Sequence, residues 1–332
     1  MSTLALRLRP ARRFAVESPV AGPAITLVIV FVLFSIFVPN FLTWRSMAGI
    51  VNAATLTGVV TVGVTLLMIA GEFDLSVGPM MAMGGYLYAM NTMEGGNPAV
   101  AVLLALLITG VMGAVNGLIV TRTGIPSFIT TLSTMWVYRG LVWILSQGQM
   151  LQTVEKFFVY DLFNGRLAVV ADAIKGANFR SAALWWIALV LFFQFLLTRS
   201  RFGNHVFATG GSIDAAGATG VNVKRTKVMC FIISGLLSGF AGILLFSQYK
   251  TVKIASGAGT ELLAIASAVV GGTSLAGGYG SIIGGFLGVL IISMLRTGVV
   301  LTNLIPADNF EAIVGVTIIA AVVFNNWIHS KA

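Results

Sequence analysis

The stretch Gly71-Glu72-Phe73-Asp74-Leu75-Ser76-Val77-Gly78 sets two carboxylates and two glycines between long apolar runs. In a bilayer such a stretch cannot simply continue a helix, because a charged side chain at depth costs about 2.5–3.5 kcal/mol even on lenient insertion scales. It reads as a break. The apolar arm that follows, Pro79 to Met93, has about 15 residues, whereas roughly 20 are needed to cross the hydrocarbon core.

A second copy of this arrangement lies later in the chain. Gly71, Leu75, Gly78, Gly84, Gly85 and Leu87 fall opposite Gly271, Leu275, Gly278, Gly284, Gly285 and Leu287. The second break reads Gly271-Gly272-Thr273-Ser274-Leu275-Ala276-Gly277-Gly278, with its short apolar arm before it, Leu262 to Val270. The likeness continues with one gap, since GLIVTRTGIP from Gly117 to Pro126 parallels GVVLTNLIP from Gly298 to Pro306. Paired, interrupted segments in two halves of a membrane protein point to a transport path. The path candidates are Glu72, Asp74, Ser76 and Gly78 in the first break, and Gly271, Gly272, Thr273, Ser274 and Gly278 in the second.

Hydrophobic residues make up 57% of the 332 residues and charged residues 9%, against about 25% charged in a soluble domain. The mean hydropathy is +0.96. These values define a polytopic membrane protein whose length is absorbed by one transmembrane domain, 1–332. The net charge of +9 sits beside the spans, where it marks the cytoplasmic side and not a nucleic-acid partner. One cysteine and two histidines provide neither a disulfide framework nor a metal cluster. The sequence contains no Walker motif GxxxxGK[ST] and no HExxH, so catalytic residues, cofactor and metal are all absent from the reading and ATP hydrolysis falls to another chain.

Taken in order, the basic segment 1–19 is expected in the cytoplasm. The first span, at about 20–38, is too long for the apolar region of a cleaved signal peptide. Further spans are expected at Met47–Ala70, Pro79–Met93, Ala99–Val120, Pro126–Gln147, Ala182–Leu197, Val228–Ser247, Glu261–Val270, Ser281–Leu301 and Glu311–Trp327. That gives an all-α protein of about ten helices with both ends inside. Five spans in each half make the repeat an inverted one. Residues 148–180 form the outer loop, where Phe157, Phe158, Tyr160 and Phe163 interleave with charges and suit an interfacial helix.

The largest internal loop, 199–227, carries Arg199, Arg201, His205, Lys224, Arg225 and Lys227 against the single acid Asp214. Within it Ser212, Ile213, Asp214, Ala215, Ala216 and Gly220 have the punctuation of a short helix, with a serine cap, an acid in the first turn and a glycine past the end. Such a helix serves as a docking element for a cytoplasmic ATPase, the alternative being an ordinary connecting loop. Arg139, inside a span, must face protein or water with a partner that the sequence does not identify.

At this point the chain resembles the permease subunits of ribose-type ATP-binding cassette importers of bacteria. The matching stretches are GEFDLSVG at 71–78, GAVNGLIVTRTGIPSFITTLSTMWVYRG at 113–140, GGSIDAAG with GATGVNV ending at 223, and AVVGGTSLAGGYGSIIGG at 268–285. The resemblance implies an inner-membrane subunit that moves a monosaccharide or polyol. It also implies a second permease copy, identical or paralogous, a separate ATPase and a periplasmic sugar-binding protein, all in a setting of membrane lipid. Asp74 keeps the family's aspartate, whereas Glu72 replaces a small residue, which bears on the substrate and not on the fold.

Bland roles stand beside these. Asp74 and Glu72 can be an ionic lock, path groups or helix-end carboxylates facing cytoplasmic water. Asn52, Asn116, Gln194 and Gln248 can bind sugar hydroxyls or join helices. Trp136, Tyr138 and Trp143 can stack on a sugar or form the interfacial belt. The rival class is an ion-coupled secondary transporter with Asp74 and Glu72 as its coupling carboxylates.

Overall fold

The computed structural model describes residues 20–155, 157–302 and 312, 315, 316 and 319. The basic segment 1–19 and most of the tenth expected span, Glu311 to Trp327, lie outside these residues. In chain order the helices are α1 (Ala21–Phe37), α2 (Trp44–Ile69), α3 (Val77–Met93), α4 (Pro98–Thr123) and α5 (Ser127–Ser146). Then come α6 (Phe158–Asn164), α7 (Ala168–Ala173), α8 (Ala182–Arg199), α9 (Arg201–Gly211) and α10 (Ile213–Ala218). The last described helices are α11 (Val223–Tyr249), α12 (Thr260–Val270) and α13 (Ile282–Thr302). Two short strands, β1 (Leu151–Gln152) and β2 (Thr251–Val252), pair antiparallel with Leu151 opposite Val252.

Among the described residues six helices, α2, α4, α5, α8, α11 and α13, are long and apolar enough to cross a membrane. The arms α1 and α3 reach 17 residues each and α12 only 11. The result is a multi-span helical bundle in which the arms beside the two breaks are indeed short. Burial divides centre from rim. The most apolar windows of α2 and α11 are 72% and 61% buried, against 28–33% for α4, α5 and α8. The rim helices turn Leu107, Val111, Phe128, Trp136, Leu191 and Phe195 outward, as lipid-facing surfaces do. Lipid gives no hydrophobic drive between helices, so the centre relies on close backbone approach and polar contacts. Thus α3 lies on α11 where a Cβ on Gly84 would come 2.5 Å from the Gly239 carbonyl oxygen.

Local caps follow the sequence. Thr43 accepts from Ser46 N at the start of α2, and Asn97 accepts from Ala99 N before Pro98 at the start of α4. The third arm, however, begins at Val77 and not at Pro79. Proline is tolerated there because the first intrahelical bond, from Met80 N to Ser76 O, does not need its missing N–H.

The loop 148–180 carries more structure than a single interfacial helix. Between 148 and 180 it carries β1, α6, α7 and a bridge pairing Arg166 with Arg180. Helix α6 turns Tyr160 and Phe163 inward, edge-on to Tyr88 of α3, while Phe158 stays outside. Tyr160 donates to Thr92 Oγ1 at 2.9 Å, and Lys250 Nζ sits 3.9 Å from the Tyr160 ring centroid. Together these contacts lock a cap over the ends of α3 and α11.

Candidate functional site

The two breaks begin with the same backbone device. At the end of α2, Gly71 takes φ +84°, its N–H bonds Met68 O at 2.9 Å, and Glu72 N bonds Leu67 O at 3.1 Å. At the end of α12, Gly272 takes φ +84°, its N–H bonds Val269 O at 2.9 Å, and Thr273 N bonds Ala268 O at 2.9 Å. Both are Schellman ends, in which a left-handed glycine lets two amides reach back to orphan carbonyls. The structural partner of Gly71 is therefore Gly272 and not Gly271, one residue from the pairing expected. Gly271 instead presses its backbone against Gly284.

The breaks then meet each other. Gly278 N donates to Ile69 O at 2.9 Å, so the second break satisfies the last carbonyl of α2. A third segment wedges between them: the Gly210–Gly211 end of α9. A Cβ on Gly210 would overlap Ile69 O, one on Gly278 would lie 2.7 Å from Gly211 Cα, and one on Gly277 would lie 2.8 Å from Gly71 Cα. Three chain segments thus cross at backbone distance, which only glycine permits.

The first break is then filled by polar side chains. Glu72 is 6% exposed and pairs with Lys227 of α11. Asp74 is fully buried, and it accepts from Ser76 N at 2.9 Å, Ser76 Oγ at 2.6 Å and Ser234 Oγ at 3.1 Å. Ser76 Oγ in turn accepts from Asn116 Nδ2 at 2.8 Å, and the Tyr138 hydroxyl lies 3.0 Å from Asn116 Oδ1 and 2.8 Å from Met112 O. Of the roles open to these acids, facing cytoplasmic water does not fit their burial within the chain. Burial is sustained because Glu72 has a cation and Asp74 has three donors, the two conditions under which a buried carboxylate is tolerated.

Arg139 finds its partners in the loop before α12. Its Nη1 donates to Ile254 O and, at 3.0 Å, to Ser256 O. Residues 253–259 are non-helical and partly exposed, and Arg139 supplies a donor to two of their carbonyls. The same loop abuts Gly78, where a Cβ would lie 2.6 Å from both Gly257 O and Glu261 Oε2.

The docking candidate is a helix as expected. Ser212 Oγ accepts from Ala215 N at 3.3 Å, α10 spans Ile213–Ala218, and Gly220 follows at φ +84°. One side chain is corrected. Ala216 is 2% exposed, packed inside the chain, so it is not part of an outward face. Ile213 is 53% exposed, and Asp214 and Ala215 are exposed beside it. The start of α10 is hydrogen-bonded to the end of α9 through Ser212, whose N–H reaches Ala208 O.

The amides all join elements. Asn52 donates to Asn178 O, Gln194 accepts from Ile283 N, and Asn164 donates to Gln248. Tyr138 is buried, whereas Trp136 and Trp143 are 69% and 58% exposed on α5. In the second break Thr273 is buried, Ser274 N bonds Tyr279 O at 3.0 Å, and Leu275 is 43% exposed at the tip. Ser234, Gly210 and Gly211 are the participants that sequence reasoning missed. Only the adjacent glycines ahead of Ser212 hinted at a close approach there.

The family model described as "Branched-chain amino acid transport system / permease component" matches residues 46–322. The chain is 34% identical over 307 residues to the ribose import permease protein RbsC of Bacillus subtilis, covering 92% of each. It is 33% identical to the L-arabinose transport system permease protein AraH of Escherichia coli, over 92% of this chain and 90% of that one. It is 29% identical to the autoinducer 2 import system permease protein LsrC of Photorhabdus luminescens, over 91% and 88%. No solved structure matches. With that coverage of the family model, and with a break, a wedge and a buried network falling inside it, this chain belongs to the family of transport-system permease components.

Proposed function

We propose that this protein is the membrane subunit of an ATP-driven importer that carries a monosaccharide or polyol across the bacterial inner membrane. The observation that carries the reading is similarity along nine-tenths of the chain to permeases whose names specify ribose and L-arabinose import. Both are pentoses, which favours a sugar over the amino acid in the family description. In this reading the chain has ten spans in two inverted halves of five, with both termini and the 199–227 loop in the cytoplasm. The 148–180 cap is periplasmic. A second permease, a cytoplasmic ATPase and a periplasmic sugar-binding protein complete the assembly.

The ATPase engages Ile213, Asp214 and Ala215 of α10. A helix of six residues cannot hold itself together in water, so α10 depends on packing on both sides. Motion of α10 passes through Ser212 into Gly210–Gly211 and from there to both breaks, because those glycines touch Ile69 and Gly278. Backbone in direct contact transmits displacement without slack, as close-packed interiors do.

The test is reconstitution in liposomes. The chain with its ATPase and binding protein is expected to accumulate ribose or arabinose only with ATP, and the chain alone under a proton or sodium gradient to accumulate neither. Gradient-driven uptake by the chain alone overturns the importer reading in favour of a secondary transporter.

A further inference from the structure

The glycine face of α4 seats that helix directly on α11. A Cβ on Gly117 would lie 2.9 Å from Val228 Cα, and one on Gly110 3.1 Å from the Leu236 side chain, so the two helices run antiparallel along a close seam. Beside the seam both leave apolar residues uncovered. Val111, Val115, Leu118 and Arg122 recur at helical spacing on one face of α4, and the three apolar ones are 38–52% exposed. On α11 Met229 is 40% exposed, and Arg225 stands one turn before it. At about 100° per residue, Leu118 and Arg122 turn about 100° and 140° from Gly117, and Met229 and Arg225 about 100° and 60° from Val228. Equal senses of turn on antiparallel helices open to the same side, so these residues border a single strip.

Cations gather at the foot of that strip. Arg122 lies five residues beyond Gly117, and Lys224 and Arg225 lie four and three before Val228, which sets the three within about 3 Å of one depth. All three are exposed, at the last turn of α4 and the first of α11. Among the described residues their side chains make no hydrogen bond or ion pair, whereas Lys227 beside them is already neutralised by Glu72. From Val111 to Arg122 the strip is about 16 Å long, close to the hydrocarbon depth of one leaflet. A general excess of positive charge sets orientation without choosing a place. Here three unpaired cations share one depth beneath an apolar strip of leaflet length.

We propose that the foot of the α4–α11 seam holds an anionic phospholipid, its phosphate on Arg122, Lys224 and Arg225 and an acyl chain along Leu118 and Met229. Two guanidinium forks and an ammonium supply charge-assisted donors to a phosphodiester. A soluble phosphate would gain those donors but nothing from the apolar strip, which is why the occupant is a lipid. In the orientation proposed above, the site faces the cytoplasmic leaflet, whose surface carries the negative potential. The inference goes beyond the importer reading and holds whatever solute the protein carries.

The experiment offers the purified full chain, in neutral detergent, equal amounts of dioleoylphosphatidylglycerol and dioleoylphosphatidylethanolamine and reads retained lipid by native mass spectrometry. The parent is expected to keep the anionic lipid at least about fivefold better, and excess glycerol phosphate is expected not to displace it. Each cation near an anionic headgroup is worth about fivefold, so Arg122→Gln/Lys224→Gln/Arg225→Gln is expected to lower that retention at least about tenfold, with the midpoint of thermal unfolding unchanged. Arg122→Glu, which leaves α11 untouched, is expected to lower it at least about fivefold. Arg199→Gln/Arg201→Gln removes charge from the same side of the protein but not from the seam, and retention is expected to stay within about twofold of the parent. Equal retention of the two lipids overturns the proposal, as does displacement by glycerol phosphate. Parent-level retention in Arg122→Glu overturns it too, and so does an equal loss from the 199/201 pair, which would make the effect one of overall charge. Loss of ATPase co-purification in the triple variant with lipid retention intact also overturns it, since the three cations then serve the ATPase.

Discussion

The two breaks end their helices in the same way and then part company. Gly71 and Gly272 share a φ of +84° and the same pair of reaching amides, so the backbone is reused almost atom for atom. Beyond that point the first break is tied down by side chains. Glu72 reaches Lys227, Asp74 reaches Ser234, and Ser76 reaches Asn116, which fastens the segment to α11 and α4. Among the described residues the side chains of Gly271–Gly278 make no hydrogen bond to another element. The second break is held by main chain and by glycine contacts, and its tip exposes Leu275 and Ala276. The comparison teaches that equal helix ends can serve one anchored segment and one held only by shape.

The strongest challenge to this view is to fill the crossing point. Gly210→Val and Gly278→Leu place side chains where backbone from two other segments already sits, and overpacking against backbone cannot be relieved by a rotamer change. Uptake by the reconstituted importer is expected to fall to background for both. Full uptake by either variant would mean that the segments do not cross as described.

The next largest effect separates ion pair from fold. Lys227→Met leaves Glu72 buried without its cation, which costs about 3–5 kcal/mol of stability. Adding Glu72→Leu to the same chain is expected to return most of that loss, read as the midpoint of thermal unfolding in detergent. If the double variant is no more stable than Lys227→Met alone, Glu72 is not held by that pair. No change in the second break is expected to show this pattern of loss and recovery, since it has no buried charge.

The two leucines give a smaller and more direct contrast. Leu75 is 6% exposed and Leu275 43%. Leu75→Ala is expected to cost about 2–5 kcal/mol, the range for a core leucine, while Leu275→Ala stays within about 0.5 kcal/mol. Equal costs in the same unfolding assay would show that the tip of the second break is covered in the assembly in the way that Leu75 is covered within the chain.

What could be read from the sequence was local. Glycine beside a long apolar run announced both breaks, and Ser212 with Gly220 announced α10, because caps act within a few residues. The pairing of Gly71 slipped by one since matching letters do not record which glycine carries the positive φ. Helix α9 was not foreseen at all. Its stretch Arg201–Gly211 holds three glycines, each a poor helix former, and it is helical because Val206 and Thr209 are buried against the bundle. Likewise the partners of Glu72 and Arg139 lie more than a hundred residues away, joined to them only by the tertiary fold.

The smallest expected effect is the one that discriminates most between mechanisms. Among the described residues no cation pairs with Asp74, and its oxygens are occupied by Ser76 N, Ser76 Oγ and Ser234 Oγ. In Asp74→Asn the amide oxygen can still accept from both Ser76 donors. The new NH2 faces Ser234 Oγ, which can rotate and accept, so no buried group loses its partner. A neutral side chain of nearly the same shape also removes the cost of burying charge. Uptake is therefore expected to remain within about twofold of the parent, and thermal stability within about 1 kcal/mol. Asp74→Leu keeps the volume but strands both serine hydroxyls and the Ser76 amide, so it is expected to lose about 2 kcal/mol or more. A carboxylate that carries a coupling proton behaves in the opposite way, since asparagine cannot titrate and transport would stop while the fold survived. Loss of uptake in Asp74→Asn with stability intact would thus move Asp74 from an anchor of the first break to the centre of an ion-coupled mechanism.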